Sequence, residues 1–232
     1  MNLTPFASAQ AAGVALAAEV AESLREGLAA RGAGSLALPG GRTPMPLFHA
    51  LRGYALDWSR VAVTLTDERW VPETDPASNG ALLRRELLEE RAAAARFVPL
   101  YQADAGSASQ AAPVISTMVQ QAMALPFDAV VLGMGEDGHF ASLFPGNAGL
   151  AEALDPRAAP GCVAMQAPAE PRQRLSLNVA ALMQTRRLFL LVTGEAKRAV
   201  LAQASDPASR GDWPIGALLD VRNPPLEVYW AP

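Results

Sequence analysis

The sequence is short of the residues that most often advertise a function. Its one cysteine, Cys162, rules out an intramolecular disulfide, which suits a reducing cytosol, and reads as a buried free thiol. The two histidines, His49 and His139, lie far apart and, with a single cysteine, supply no zinc ligand set, so no metal and no cofactor is expected. No apolar run is long enough to span a bilayer. The most apolar early stretch, Gly13 to Ala21, is interrupted by Glu19. No basic segment of the secretory type opens the chain, so a cytoplasmic protein without a membrane partner is expected. The net charge of -4 gives no broad basic surface for nucleic acid. There is no G-x-S-x-G elbow for a serine hydrolase and no G-x-x-x-x-G-K-[ST] phosphate loop. Lysine is nearly absent too: of 19 basic residues only Lys197 is lysine, which singles that position out.

What is present is an alternation of helical and strand patterns over 232 residues, half of them hydrophobic. Leu16, Val20, Leu24 and Leu28 recur at a helical period, and Gly32 and Gly34 end that helix. Ser35 to Leu38 reads as a strand, followed by a turn in which Thr43 is placed as N-cap and Pro44 as first helical residue of a helix reaching Ala50. Val61 to Leu65 and Phe97 to Leu100 read as strands, with a helix opened by Ser78-Asn79 between them. A helix with Val114, Met118 and Ala122 on one face precedes a strand from Phe127 to Leu132. The Ala-, Pro- and Gly-rich stretch from Asn147 to Gln173 reads as loops around a strand near Cys162 to Met165. Strands at Leu175 to Leu177 and Leu188 to Val192, a helix opening at Glu195, a short helix near Trp213 to Leu219 and a strand from Leu226 to Tyr229 complete the pattern. Such alternation implies a single α/β domain over residues 1–232, with a mostly parallel central sheet covered by helices on both faces.

In such sheets the carboxyl ends of the strands share one edge, where ligands bind. Four segments follow strands and converge there: the loop from Pro39, the triplet Asp67-Glu68-Arg69, the loop Gly133 to His139, and the turn Gly194 to Lys197. The first, with two glycines before a helix, suits a phosphate; an ordinary strand-to-helix turn has the same composition. Three consecutive charges after an apolar strand are costly to bury unless paired or used, although a surface ion pair is the plainer reading. Gly133-Met134-Gly135-Glu136-Asp137-Gly138 matches G-x-G-x-x-G, yet Pro145 and Gly146 soon break any following helix, which argues against a dinucleotide site. His139 stands two residues from Asp137, and a carboxylate beside an imidazole fixes its tautomer and raises its basicity. His49, on the helix after the first loop, reads as structural.

These segments resemble the 6-phosphogluconolactonase family over nearly the whole chain. The blocks that carry the likeness are Gly40 to Pro44, Thr66 to Pro72, Ser78-Asn79, Leu132 to His139 continued by Ala141 to Gly146, Arg174 to Leu177, and Gly194 to Arg198. The resemblance implies a Rossmann-like α/β fold, shared with glucosamine-6-phosphate deaminases. It also implies hydrolysis of 6-phospho-D-glucono-1,5-lactone to 6-phospho-D-gluconate in the oxidative pentose phosphate pathway. By that resemblance His139 is the general base, with Asp137 its neighbour, while Gly40, Gly41, Arg42, Thr43, Asp67, Arg69, Arg174 and Lys197 bind the phosphate or the sugar. Phe140 stands where the family often has threonine, and Glu136 where it often has proline. Arg174 begins a strand, which in a parallel strand is the wrong edge: either that strand is antiparallel or Arg172 takes its place. Two rivals share the fold. A deaminase tends to have tyrosine after its Asp-Glu pair, where Arg69-Trp70 stands here; a non-catalytic sugar-phosphate sensor usually carries a DNA-binding segment, and no basic helix-turn-helix is seen.

Overall fold

The computed structural model describes residues 2–219, 221 and 223–232. Its first strand, β1 (Asn2–Pro5), runs along the sheet edge, and α1 (Ala9–Arg31) follows. Ser8 caps α1, its hydroxyl accepting from the Ala11 N–H, and Gly32 closes it in the left-handed conformation. The buried stripe includes Leu16, Val20 and Leu24, as the period requires. Then come β2 (Gly34–Leu38), α2 (Met45–Leu51), β3 (Val61–Leu65), β4 (Asp67–Arg69), α3 (Asn79–Glu86), β5 (Arg96–Val98) and α4 (Ala108–Ala122). The second half holds β6 (Ala129–Leu132), α5 (Leu150–Leu154), β7 (Cys162–Gln166), β8 (Gln173–Leu177), α6 (Val179–Leu182), β9 (Leu188–Thr193), α7 (Glu195–Ser205), α8 (Gly216–Leu219) and β10 (Leu226–Ala231).

Seven strands form one sheet in the order β1-β10-β9-β6-β2-β3-β5, and every pairing in it is parallel. All residues of β2, β3 and β6 are buried, the continuous burial expected of parallel strands with both faces covered. The carboxyl ends of β2, β3, β6 and β9 therefore open onto one rim, as the alternation of elements implies. A second, antiparallel sheet of order β4-β8-β7 stands apart. The sequence pattern gives its strands β7 and β8 but not their separate pairing, and it gives neither β4 nor β1, which adds to the edge of the main sheet beside β10.

Two local expectations need correction. Thr43 is not an N-cap: Met45 N–H bonds back to the Arg42 carbonyl, the helix starts at Met45, and Pro44 occupies the cap position without a side-chain cap. The Val114, Met118 and Ala122 face of α4 is also not its most buried one, which is centred one residue along. Ala108, Ala111, Ala112, Ile115 and Val119 are buried, whereas Val114 is 59% exposed.

Candidate active site

Side chains alternate across a strand, and this divides the charged triplet. Asp67 and Arg69 point into a cleft at the rim, whereas Glu68 points away from it. The register pairs Asp67 with Ser176 and Arg69 with Arg174. One face of the small sheet thus presents Asp67, Arg69, Arg174 and Ser176 together, and β8 is antiparallel to both its neighbours. That orientation distinguishes the two arginines. Arg174 lines the cleft and is 9% exposed, while Arg172 lies at the surface in an ion pair with Glu170. Two arginines directly opposite each other repel. Burial first, and then the Arg69 charge, lowers the Arg174 pKa below the usual guanidinium value.

Glu68 is a structural residue. Its Oε1 accepts from the N–H groups of Arg69 and Asn79, both at 2.7 Å, and its Oε2 from Gly80 N–H at 2.7 Å and Ser78 Oγ at 3.2 Å. It therefore satisfies the free donors at the start of α3. Burial pushes its carboxyl up to about 7, against the opposing pull of those backbone donors.

Opposite the small sheet lies the loop after β6. Gly135 N–H donates to the His139 carbonyl at 2.9 Å, which closes the loop into a tight turn and not into a helix. His139 Nδ1 lies 2.5 Å from Asp137 Oδ1, and the His139 N–H reaches the same oxygen at 3.2 Å. A carboxylate only accepts, so in the neutral ring this contact places the proton on Nδ1 and leaves the lone pair on Nε2. His139 lines the cleft and packs on Phe144 with ring centroids 4.2 Å apart. Asp137 does not line the cleft; it stands behind the imidazole. Of the two family departures, Glu136 is exposed, outside the cleft wall, and Phe140 is fully buried in the core. Neither side chain faces the site.

The loop Gly40, Gly41, Arg42 and Thr43 forms a third wall, and Lys197 at the first turn of α7 a fourth. Gly40 is needed for close approach: a Cβ there would overlap the Asn79 side-chain amide. Gly41 has φ +86° and open space where a side chain would stand. Among the described residues, none of Arg42, Arg69, Arg174 and Lys197 has a carboxylate within ion-pair distance. Arg69 Nε is buried without a partner. Asp67 is the one carboxylate among the residues lining this cleft of about 370 Å³. His49 lies elsewhere, paired with Glu86 at 2.8 Å. Two residues to which the sequence reading gave no site role support Asp67. Asn79 donates from Nδ2 to the Asp67 carbonyl, and Ser142 donates from Oγ to Asp67 Oδ2. The sequence marks Asn79 as the start of a helix, and both residues fall within blocks that carry the family likeness, but neither is assigned a role there.

A cleft with an excess of unpaired cations, set at the carboxyl rim of a parallel sheet and flanked by an imidazole–carboxylate pair, defines an α/β protein built to hold a small anion. The model of the family "Glucosamine-6-phosphate isomerases/6-phosphogluconolactonase" matches residues 7–230. A 6-phosphogluconolactonase of Rhizobium meliloti is 43% identical, covering 100% of this chain and 99% of that protein. One from Pseudomonas aeruginosa is 44% identical, covering 100% and 95%. The crystal structure of a 6-phosphogluconolactonase from Shewanella baltica superposes with a TM-score of 0.93 at 38% identity, covering 100% of this chain and 98% of that one. The chain belongs to the glucosamine-6-phosphate isomerase/6-phosphogluconolactonase family.

Proposed function

We propose that this protein hydrolyses 6-phospho-D-glucono-1,5-lactone to 6-phospho-D-gluconate in the oxidative pentose phosphate pathway, as one α/β domain acting in the cytoplasm. The observation that carries the reading is the hydrogen-bonded His139–Asp137 pair beside a cleft whose cations lack carboxylate partners. Full-length likeness to relatives named 6-phosphogluconolactonase gives the substrate. Among the described residues no helix is long and apolar enough to cross a membrane, and no three His, Cys, Asp or Glu side chains are grouped to hold a metal.

In this reading the substrate phosphate is held by Lys197 and the N–H groups of the Gly40–Thr43 loop, with Arg42 at its rim. Arg69 and Arg174 bind the phosphate or the sugar and offset negative charge as it develops, and Asp67 accepts hydrogen bonds from sugar hydroxyls. His139 Nε2 removes a proton from water as the water oxygen attacks the lactone carbonyl carbon. Negative charge builds on the carbonyl oxygen of the tetrahedral intermediate. Collapse breaks the bond to the ring oxygen, which takes the proton from the imidazolium, and the ring opens to the acid. Asp137 holds the imidazole tautomer throughout and stabilises its charged form. The test is proton release from freshly made 6-phosphogluconolactone, corrected for spontaneous hydrolysis. His139→Gln is expected to lower kcat by roughly 10²–10⁴ with little change in KM. A folded His139→Gln protein with near-normal kcat would remove the general-base assignment.

A further inference from the structure

The loop that carries His139 and the small sheet that carries Asp67, Arg69 and Arg174 belong to different parts of the fold, yet the site needs them at a fixed separation. Ser142 joins them. Its hydroxyl donates to Asp67 Oδ2 at 2.6 Å, and its backbone N–H donates to Ser176 Oγ at 3.2 Å. Asp67 and Ser176 are cross-strand partners in the β4–β8 ladder. A single loop residue therefore grips both members of one pair. Ser142 and Ser176 are fully buried, and Asp67 is 7% exposed. Among the described residues the Asp67 side chain has only one other donor, Thr66 Oγ1 at 3.3 Å.

The backbone leading into Ser142 is unusual. Ala141 has φ +48°, a left-handed conformation that residues with a Cβ rarely adopt. Such backbone persists where the surroundings over-determine it, and it gathers at functional sites. Here it turns the chain inward just after His139 and aims the next side chain at the small sheet. Ser142 is not among the residues lining the cleft, so it does not meet a ligand there.

We propose that Ser142 is a positioning residue: a buried clasp that sets the His139 loop against the Asp67, Arg69 and Arg174 face of the small sheet. It acts through Asp67 and through the loop backbone, not on substrate. The role in turnover rests on the lactonase reading above. The clasp itself is a statement about the loop and can be tested apart from it.

The perturbation is Ser142→Ala, which removes the hydroxyl and keeps the backbone N–H bond to Ser176. Two readouts are needed. Hydrogen exchange of the wild-type and variant proteins is followed across residues 133–144, and faster exchange there in the variant is expected, because the loop loses its tie to the sheet. On 6-phosphogluconolactone, kcat is expected to fall about tenfold with KM little changed, since Lys197 and the Gly40–Thr43 loop lie outside the clasp and displacement of a catalytic group acts on the chemical step. A merely structural serine would lower the melting temperature and leave kcat alone. Should the alanine variant melt below the assay temperature, Ser142→Cys, close in size but a weak donor, carries the same comparison. Unchanged exchange in the loop, or a kcat within about twofold of wild type, overturns the proposal. Absence of lactone turnover by the wild-type protein would instead remove the lactonase reading, and the exchange result would still decide the clasp.

Discussion

Gly135→Ala separates the demands of the site from those of the fold. Gly135 does not have a positive φ, so the left-handed strain that usually penalises replacing glycine is absent. The obstacle is the site itself. A methyl group at Gly135 would overlap Nδ1 and Cε1 of the His139 ring and lie 2.6 Å from Asp137 Oδ1. Ordinary contact requires about 3.5 Å, so the ring must retreat by roughly 1 Å. The obstructing atoms belong to side chains on a surface loop, and the fold can give way there cheaply.

The retreat breaks the 2.5 Å bond to Asp137 and moves Nε2 from its place. Displacement of a catalytic group by about 1 Å costs on the order of 10² in rate, near 2.7 kcal/mol in the barrier. Stability should lose no more than one hydrogen bond, about 1 kcal/mol, or roughly 2–4 °C in Tm. The assay is kcat by proton release beside thermal melts and inhibition by inorganic phosphate, which reports the cation set and should not change. A Gly135→Ala protein with kcat within about threefold of wild type would refute the reasoning, since the pair would then tolerate displacement.

Three further outcomes follow from other parts of the structure. Lys197→Ala should weaken kcat/KM on the phosphorylated lactone by roughly 10- to 150-fold, the worth of a charge-assisted hydrogen bond of about 1.5–3 kcal/mol, and hardly affect unphosphorylated gluconolactone; equal losses on both would reject a phosphate role. Burial holds Glu68 near 7, above its ordinary value of 4.5. Between those values the folded protein binds a proton that the unfolded chain has released, so this group's contribution to stability declines as pH rises from about 4.5 to about 7, then levels off. The linked change is of order 3 kcal/mol, and urea unfolding of wild type and Glu68→Gln at pH 5 and pH 8 should show that slope only in the wild type. Cys162, buried and with its thiol pushed up to about 12, should resist alkylation in the native protein at pH 8 and react once unfolded; rapid native labelling would contradict its placement.

Much of the rim was legible because parallel strands obey a topological rule that needs only their order of occurrence. Loops after β2, β3, β6 and β9 must share an edge, and the residues on them followed. Helix starts were legible where a side chain does the capping, as Ser78 does by accepting from Ala81 N–H, and misplaced at Thr43, where the backbone makes an extra turn that leaves no sequence trace. Which apolar stripe of α4 faces inward was not legible, for a packing reason. Ile115 and Val119 form a stripe as regular as Val114 and Met118, one residue away. Contacts decide between them: Ser116 Oγ, on the side of the Ile115 stripe away from Val114, accepts from Cys162 N–H on β7 at 2.7 Å, and that tie favours the Ile115 stripe as the inner one.

The small antiparallel sheet was the part of the site that sequence periodicity could not supply, and it holds the feature that explains the rest. A three-residue strand such as β4 is too short to show alternation, so Asp67, Glu68 and Arg69 read as one cluster when in fact they serve opposite faces. Only the register shows Arg69 against Arg174, a half-buried cation directly opposite a buried one, which electrostatics alone would reject. Fold stability would favour a carboxylate at one of those positions, and the nearby acids are committed elsewhere: Glu68 to the start of α3, Asp67 to Ser142. The small sheet thus keeps its two cations unpaired and its two carboxylates occupied, a distribution that makes physical sense once an anionic ligand supplies the missing charge.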